Sequence, residues 1–310
     1  MSLKKMGILA IAGILLVAGA LVFFRDHVIG TRNAQAEITD LSSLYEATEE
    51  IAAAREQLQE GVEPAEIVTR DEKPHVAIVI DGLPERTTTA RLLDVLKKHG
   101  VSAVFFVEGQ NAANQPETIQ LIREAGQEIG NYTFVGVAAA QELPQERLLA
   151  EICRTQRVVE VLAATKPKLF RSPRTVYDEE LLRALRASGV ECAVKESAHY
   201  APGWLKDEAG AAAYAATVPA GSIIAIDIAV PVEMPAKDAP VEDARPAVDK
   251  QPTLEDKPAE ESKPVPVDAA AELDWLLTAL ESTGKTPGNI HEFRKIHYVP
   301  AAPSAAVQGK

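Results

Sequence analysis

Cysteine is scarce: the 310-residue chain holds two, Cys153 and Cys192. Two cysteines without motif spacing make neither a disulfide framework nor a cysteine metal site. They stay open to two readings, a pair formed in an oxidising compartment or two small buried hydrophobes. Basic residues are also short, with 32 Lys and Arg against 45 Asp and Glu and a net charge of −13. No basic patch is visible, which excludes a nucleic acid as partner, because phosphate contacts need clustered Lys and Arg. The acidic balance serves solubility. No internal repeat is visible either.

One long apolar run is present. Met6 to Phe24 (MGILAIAGILLVAGALVFF) carries no charge, and as a helix rising about 1.5 Å per residue it matches a hydrocarbon layer of roughly 30 Å. A signal peptide has a shorter apolar core of about 7–15 residues, and the Ala-Gln-Ala at 34–36 lies well past the run. The run is therefore expected to be an uncleaved, single-pass transmembrane anchor, with 1–5 a short cytoplasmic N-terminus. Lys4 and Lys5 precede it while Arg25 and Arg32 follow, so the positive-inside bias is slight. Placing the remaining chain outside the cytoplasm leans on the anchor's N-terminal position and on the resemblance given below.

Residues 25–70 read as a linker. Glu37 to Gly61 sets Ile38, Leu41, Leu44, Ile51 and Leu58 among charged helix formers, predicting a stalk-like helix. From His75 short apolar runs alternate with amphipathic stretches. Strands are expected at 76–80, 101–107, 128–134, 168–170, 192–194 and 221–230, and helices near 87–99, 115–125, 144–163 and 178–188. Such alternation predicts an α/β domain with a mostly parallel sheet, and runs without polar alternation suit strands buried on both faces. Residues 231–268 break the pattern with eight of the 20 prolines, ten acids against five bases, no glycine and no aromatic residue. That composition cannot bury enough surface to fold. It reads as a solvated spacer or as a docking arm for a protein partner. Helical patterning resumes at Ala269 to Leu280, so the stretch is an insertion within a domain spanning 71–300, followed by a tail at 301–310.

The run KKHGVSAVFFVEGQNAANQPETIQLIREAGQEIGNYTF (97–134) resembles the polysaccharide deacetylase family, the NodB homology domain. VAIVIDGLP (76–84) stands where that family has an Asp-Asp-Gly motif. LFRSPRTVYDEELLRALRASGV (169–190) looks like its Phe-Arg-x-Pro strand and following helix, and GSIIAID (221–227) resembles its late Gly-Ser-Ile-Ile-Leu-Leu-His-Asp strand. The resemblance covers about 75–230. It implies a distorted (β/α) barrel of about seven strands with the site at their carboxyl ends, and 269–280 as the closing helix.

The resemblance also implies a chemistry. In that family an Asp and two His hold a divalent metal, usually zinc, which polarises an N-acetyl carbonyl and a bound water. A second Asp acts as general base and a late His protonates the leaving amine. Here the two metal imidazoles are replaced by Tyr132 and Gly136, and the late His by Asp227. Only one Asp of the first motif remains, Asp81. Aligned without a gap, Asp81 takes the base position and Gly82 replaces the metal Asp; shifted by one, Asp81 is the metal ligand and Ile80 replaces the base. Arg171 matches the family arginine that holds the base Asp, so an Asp81–Arg171 pair suits the ungapped alignment, whether as a catalytic pair or as a buried ion pair at the barrel mouth. Of the six histidines, His27, His75, His99, His199, His291 and His297, only His199 lies in a loop near the strand ends. Asp81 and Asp227 on separate strands could converge, and would suit a hard cation better than zinc. Trp204, with Tyr200 in HYAPGW, offers an aromatic face on which a sugar could stack.

Three functions remain open. One is a catalytically degenerate deacetylase that binds cell-envelope glycan, such as peptidoglycan, or a partner. Another is an active hydrolase removing N-acetyl groups with an unorthodox metal site. The third is an interaction protein working through 231–268. The candidate catalytic residues are Asp81, Arg171 and Asp227, and the candidate substrate contacts Tyr132 and Trp204. No cofactor is expected unless a divalent metal site is rebuilt.

Overall fold

The computed structural model describes residues 46–229, 232 and 268–299. The expected anchor at 6–24, the first part of the stalk, nearly all of 231–268 and the tail 301–310 lie outside the described residues. Among the described residues no helix is long and apolar enough to cross a membrane.

The elements run α1 (Thr48–Glu60), β1 (Glu66–Thr69), β2 (His75–Asp81), α2 (Arg86–His99), β3 (Ala103–Val107), α3 (Gly109–Asn114), α4 (Pro116–Glu124), β4 (Glu128–Asn131), α5 (Gln145–Ala163), β5 (Leu169–Phe170), α6 (Glu179–Ala187), β6 (Cys192–Val194), β7 (Ala198–Tyr200), α7 (Glu208–Thr217), β8 (Ser222–Asp227), α8 (Ala269–Ser282), β9 (Thr286–Pro287) and β10 (Arg294–Ile296). The strands form one sheet in the order β10-β1-β6-β5-β4-β3-β2-β8-β7, with β9 beside β2. Among the described strands only the β1–β10 pair is antiparallel. The α/β expectation of a curved, mostly parallel sheet holds, while the sheet has ten strands among the described residues where about seven were expected. Its seam is made by the chain itself, because Lys195 N–H donates to Val68 O on β1 (2.9 Å) while Ser197 N–H, two residues on, donates to Ile223 O on β8 (3.0 Å).

Every residue of β2 and β3 is buried, as continuous apolar runs require of strands covered on both faces. Val79, Phe106, Tyr132, Leu169, Cys192 and Ala225 meet inside the curved sheet. Outside it, α5 and α6 pack with β5 and β6 through Ile152, Cys153, Leu182 and Phe170. Cys153 and Cys192 thus fall into different clusters and both are free thiols, which settles the pairing question in favour of two buried hydrophobes.

Asp178 caps α6 by accepting Leu181 N–H (2.9 Å), and Gly100 ends α2 with φ 64, a left-handed stop that glycine adopts without a Cβ penalty. The closing helix α8 packs against α2 and α7.

Two expectations are corrected. The stalk helix, over its described part, is α1, and it lies on the domain: Ala54 is buried, Ile51 and Leu58 pack on the outer cluster, and Arg55 donates to Glu146 on α5 (2.8 and 2.5 Å). The sheet also starts before residue 71, since Glu66–Thr69 is β1, paired with β6 and β10.

Candidate functional site

Asp81 and Asp227 end β2 and β8 and are register partners across these parallel strands, so both side chains leave the sheet on one face. His199 on β7 is the partner of Ala225, two residues before Asp227 and therefore on the same face. Arg171, directly after β5, is fixed by its own N–H donating to Asn131 O (3.0 Å). Its Nε donates to both Asp81 oxygens (2.8 and 2.7 Å), and its Nη1 donates to Glu196 in the turn between β6 and β7. The ion pair is interior: Asp81 is 0% and Arg171 2% exposed.

Burial dominates the electrostatics. It pushes the Asp81 carboxyl up to about 7, against the lowering by Arg171 and with small additions from Asp227 and Glu196. Burial also raises Asp227, with the charges of His199 and Arg171 opposing. At the more open Glu196 burial works against the charged form, but the Arg171 charge and hydrogen bond outweigh it and hold that carboxyl low. The Tyr132 phenol is pushed far up by burial first and by Asp81 second.

The loop after β4 carries Tyr132 and Gly136, the positions that correspond to the family's two imidazoles. Glu151 on α5 is buried and accepts the N–H groups of Phe134 (2.8 Å) and Val135 (3.1 Å), while Thr133 Oγ1 accepts Val137 N–H (2.8 Å). These bonds hold Thr133 at φ 63 and Gly136 at φ 77. Tyr132 is 1% exposed and sits in the inner cluster, which leaves it no face to offer a sugar. A Cβ at Gly136 would stand 3.2 Å from Glu108 Cγ. Glu108, at the end of β3, is itself 5% exposed and accepts Leu83 N–H (2.9 Å).

The Asp81–Arg171 pair favours the ungapped alignment, with Gly82 at the metal carboxylate's position. Gly82 has φ +93, and a Cβ there would overlap Ala229, whose backbone N would lie 2.8 Å away. Any side chain at 82 meets both strain and a filled space.

At the rim Trp204 is 59% exposed and its ring lies 5.8 Å from that of His199, tilted at 54°. The backbone on either side is clamped: buried Glu272 on α8 accepts Gly203 N–H (2.5 Å) and Leu205 N–H (3.3 Å). Glu272→Ala is expected to cost about 1–3 kcal/mol, the desolvation penalty of buried donors left unpaired. It should also loosen the Trp204 loop, read in a Trp275→Phe background as a fall in Trp204 fluorescence anisotropy.

The structure thus brings Asp81, Arg171 and Asp227 together, places Trp204 at the rim and withdraws Tyr132 into the core. Sequence reasoning missed Glu108 and Glu196. A glutamate one or two residues past an apolar strand is the available signal, since strand ends in such barrels feed the site.

A parallel α/β barrel with its charged cluster at the carboxyl strand ends is the class of fold that carries chemistry at that face. Residues 69–193 match the model of the polysaccharide deacetylase family. A peptidoglycan-N-acetylglucosamine deacetylase of Bacillus cereus is 34% identical over 114 residues, 37% of this chain and 40% of that protein. The peptidoglycan-N-acetylmuramic acid deacetylase PdaC of Bacillus subtilis is 32% identical over 106 residues, 34% of this chain and 22% of that one. The matched stretch therefore spans less than half of either relative. Among solved structures, Bacillus subtilis PdaA, a family 4 carbohydrate esterase, superposes with TM-score 0.54 at 20% identity, covering 77% of this chain and 87% of its own. A family 4 pseudoenzyme from Bacillus anthracis superposes with TM-score 0.53 at 20% identity, over 76% of this chain and 70% of its own. These two support the NodB-like fold.

The family's deacetylases depend on a metal, and the residues here do not fit one. Gly82 and Gly136 have no donor side chain; the side-chain space at Gly82 is filled by Ala229, and a Cβ at Gly136 would press on Glu108. Tyr132 is buried with its phenol held protonated, and Asp81 is committed to Arg171. Among the described residues no three His, Cys, Asp or Glu side chains group as metal ligands.

Proposed function

We propose that this chain keeps the polysaccharide deacetylase scaffold as a binding module for N-acetylated cell-envelope glycan and does not deacetylate it. The observation that carries the reading is the joint loss of the metal positions, now Gly82, Tyr132 and Gly136, with Asp227 standing where the family's acid is an imidazole. An amide carbonyl without its metal or an equivalent donor lacks several kcal/mol of transition-state stabilisation. The named activities of the relatives, on peptidoglycan sugars, support the ligand class. Trp204 supports the binding mode: an exposed indole on a clamped loop presents a flat apolar face to a pyranose ring at little entropic cost. In this reading 6–24 tethers the domain on the outer side of the cell membrane, and 231–268 is a spacer.

The test incubates the full chain with acetylated chitin oligomers and with peptidoglycan, with and without zinc, and measures acetate release and binding together. The expected result is binding without acetate, weakened about five- to tenfold by Trp204→Ala, in line with about 1 kcal/mol for aromatic stacking. Acetate that appears with zinc and disappears in Asp81→Asn would replace this reading with the hydrolase one.

A further inference from the structure

We infer that protein contacts have taken the place of the metal as the tie across the barrel mouth, an inference that rests on the non-catalytic reading. A metal held by the loop after β2 and the loop after β4 would join those two loops. Here the chain leaving β8 joins the same two. Ile228 and Ala229 N–H both donate to Asp81 O (3.0 and 2.9 Å), beside Gly82. Three residues on, Val232 N–H donates to Gly136 O (2.9 Å) and Val232 O accepts Ala138 N–H (3.1 Å), a parallel bridge between Val232 and Val137.

The first tie lands on the carbonyl of Asp81, next to Gly82, and the second on Gly136 itself; a Cβ at Gly82 would overlap Ala229, and one at Gly136 would press on Glu108 Cγ at 3.2 Å. Glu108 adds a third tie, from the end of β3 to Leu83 N–H. The arrangement accounts for why the substitutions occur together. Removing a ligand alone would leave a hole at the mouth and two loops without a common partner; removing the side chains at 82 and 136 lets backbone and Ala229 close the gap. It also implies that putting an Asp back at 82 is not enough to rebuild a metal site, because Ala229 and a left-handed backbone stand in its way.

The experiment is residue-resolved amide hydrogen exchange on the full chain, joined to thermal unfolding. The amides of Ile228, Ala229, Val232 and Ala138 are expected to exchange at least a hundredfold more slowly than free loop amides, and the melting temperature is expected to stay unchanged on adding zinc or EDTA. Val232→Pro, which removes the N–H given to Gly136, should lower the melting temperature by several degrees and speed exchange at Ala138, while Val232→Ala should do neither. Unprotected exchange at Val232 and Ala138 in the unaltered chain overturns the inference, as does a rise in melting temperature with zinc. The two readings fail separately: acetate release with protection intact sinks the non-catalytic reading alone, and rapid exchange with glycan binding intact sinks the tie alone.

Discussion

Arg171→Met is expected to destabilise the fold by about 3–5 kcal/mol at pH 8, the range for removing one partner of a buried ion pair. The arginine is the direct counter-charge of Asp81, which has no exposed surface, and its other arm holds Glu196. Methionine fills much the same volume, so the loss would come from the charge left behind and not from a cavity. A buried carboxylate without a partner escapes by taking up a proton. The deficit is therefore expected to shrink at pH 5, where Asp81 is neutral in both forms of the folded protein. Urea unfolding of the variant at the two pH values checks this. An equal loss at both would mean that packing, not charge, is what the arginine supplies.

The second large effect is the pH dependence of the unaltered protein. Asp81 ionises near 7 when folded and near 3.9 in an unfolded chain. Between those values the folded state holds a proton that the unfolded state has released. Stability is therefore fully present below about pH 4 and falls as pH rises towards 7, by up to about 4 kcal/mol at roughly 1.4 kcal/mol per unit. Asp227, also raised by burial, acts in the same direction. Glu196, held low by Arg171 against its burial, acts in the opposite one, since its contribution is lost as pH falls. Subtracting the curve of Asp81→Asn isolates the aspartate. The difference between wild type and variant is expected to decline from about pH 4 and to level off above about pH 7, and a flat difference across that range would show that burial does not govern Asp81.

The sheet was legible wherever a strand is long and apolar on both faces, as at 76–80 and 101–107. Short strands were not. Glu66–Thr69 carries two polar residues in four and runs into TRDEK, and Ala198–Tyr200 is three residues in a polar turn. The helix at 48–60 cannot be told from a free stalk by sequence, because an apolar stripe has the same spacing whether or not a domain lies beneath it. The strand expected to reach 230 stops at Asp227 because the chain turns off to bond Asp81 O, a tertiary choice that an apolar run does not encode.

At the site, the Asp81–Arg171 pair followed from the resemblance, and Trp204 from its aromatic loop. Glu108 and Glu196 escaped because a glutamate after a strand looks like a solvated end until the partner from a distant strand is seen. Tyr132 escapes for the converse reason: a tyrosine replacing a ligand suggests an opening, whereas its ring is buried in the inner cluster that also holds Val79 and Phe106.

The order of the sheet sets the order of folding. β1 is the earliest of the described strands to leave the ribosome, yet its two neighbours are β6 and β10, the latter near the far end of the chain. β2, β3 and β4 are neighbours in sequence and can zip locally, while the loop-closure entropy for β1 must be met across most of the domain before any of its bonds reward it. Until then Ile67 and Val68 remain on an open edge, the kind of surface that recruits other chains. The strand synthesised first is thus among the last to be paired, and a chain truncated before β10 would carry that edge uncovered.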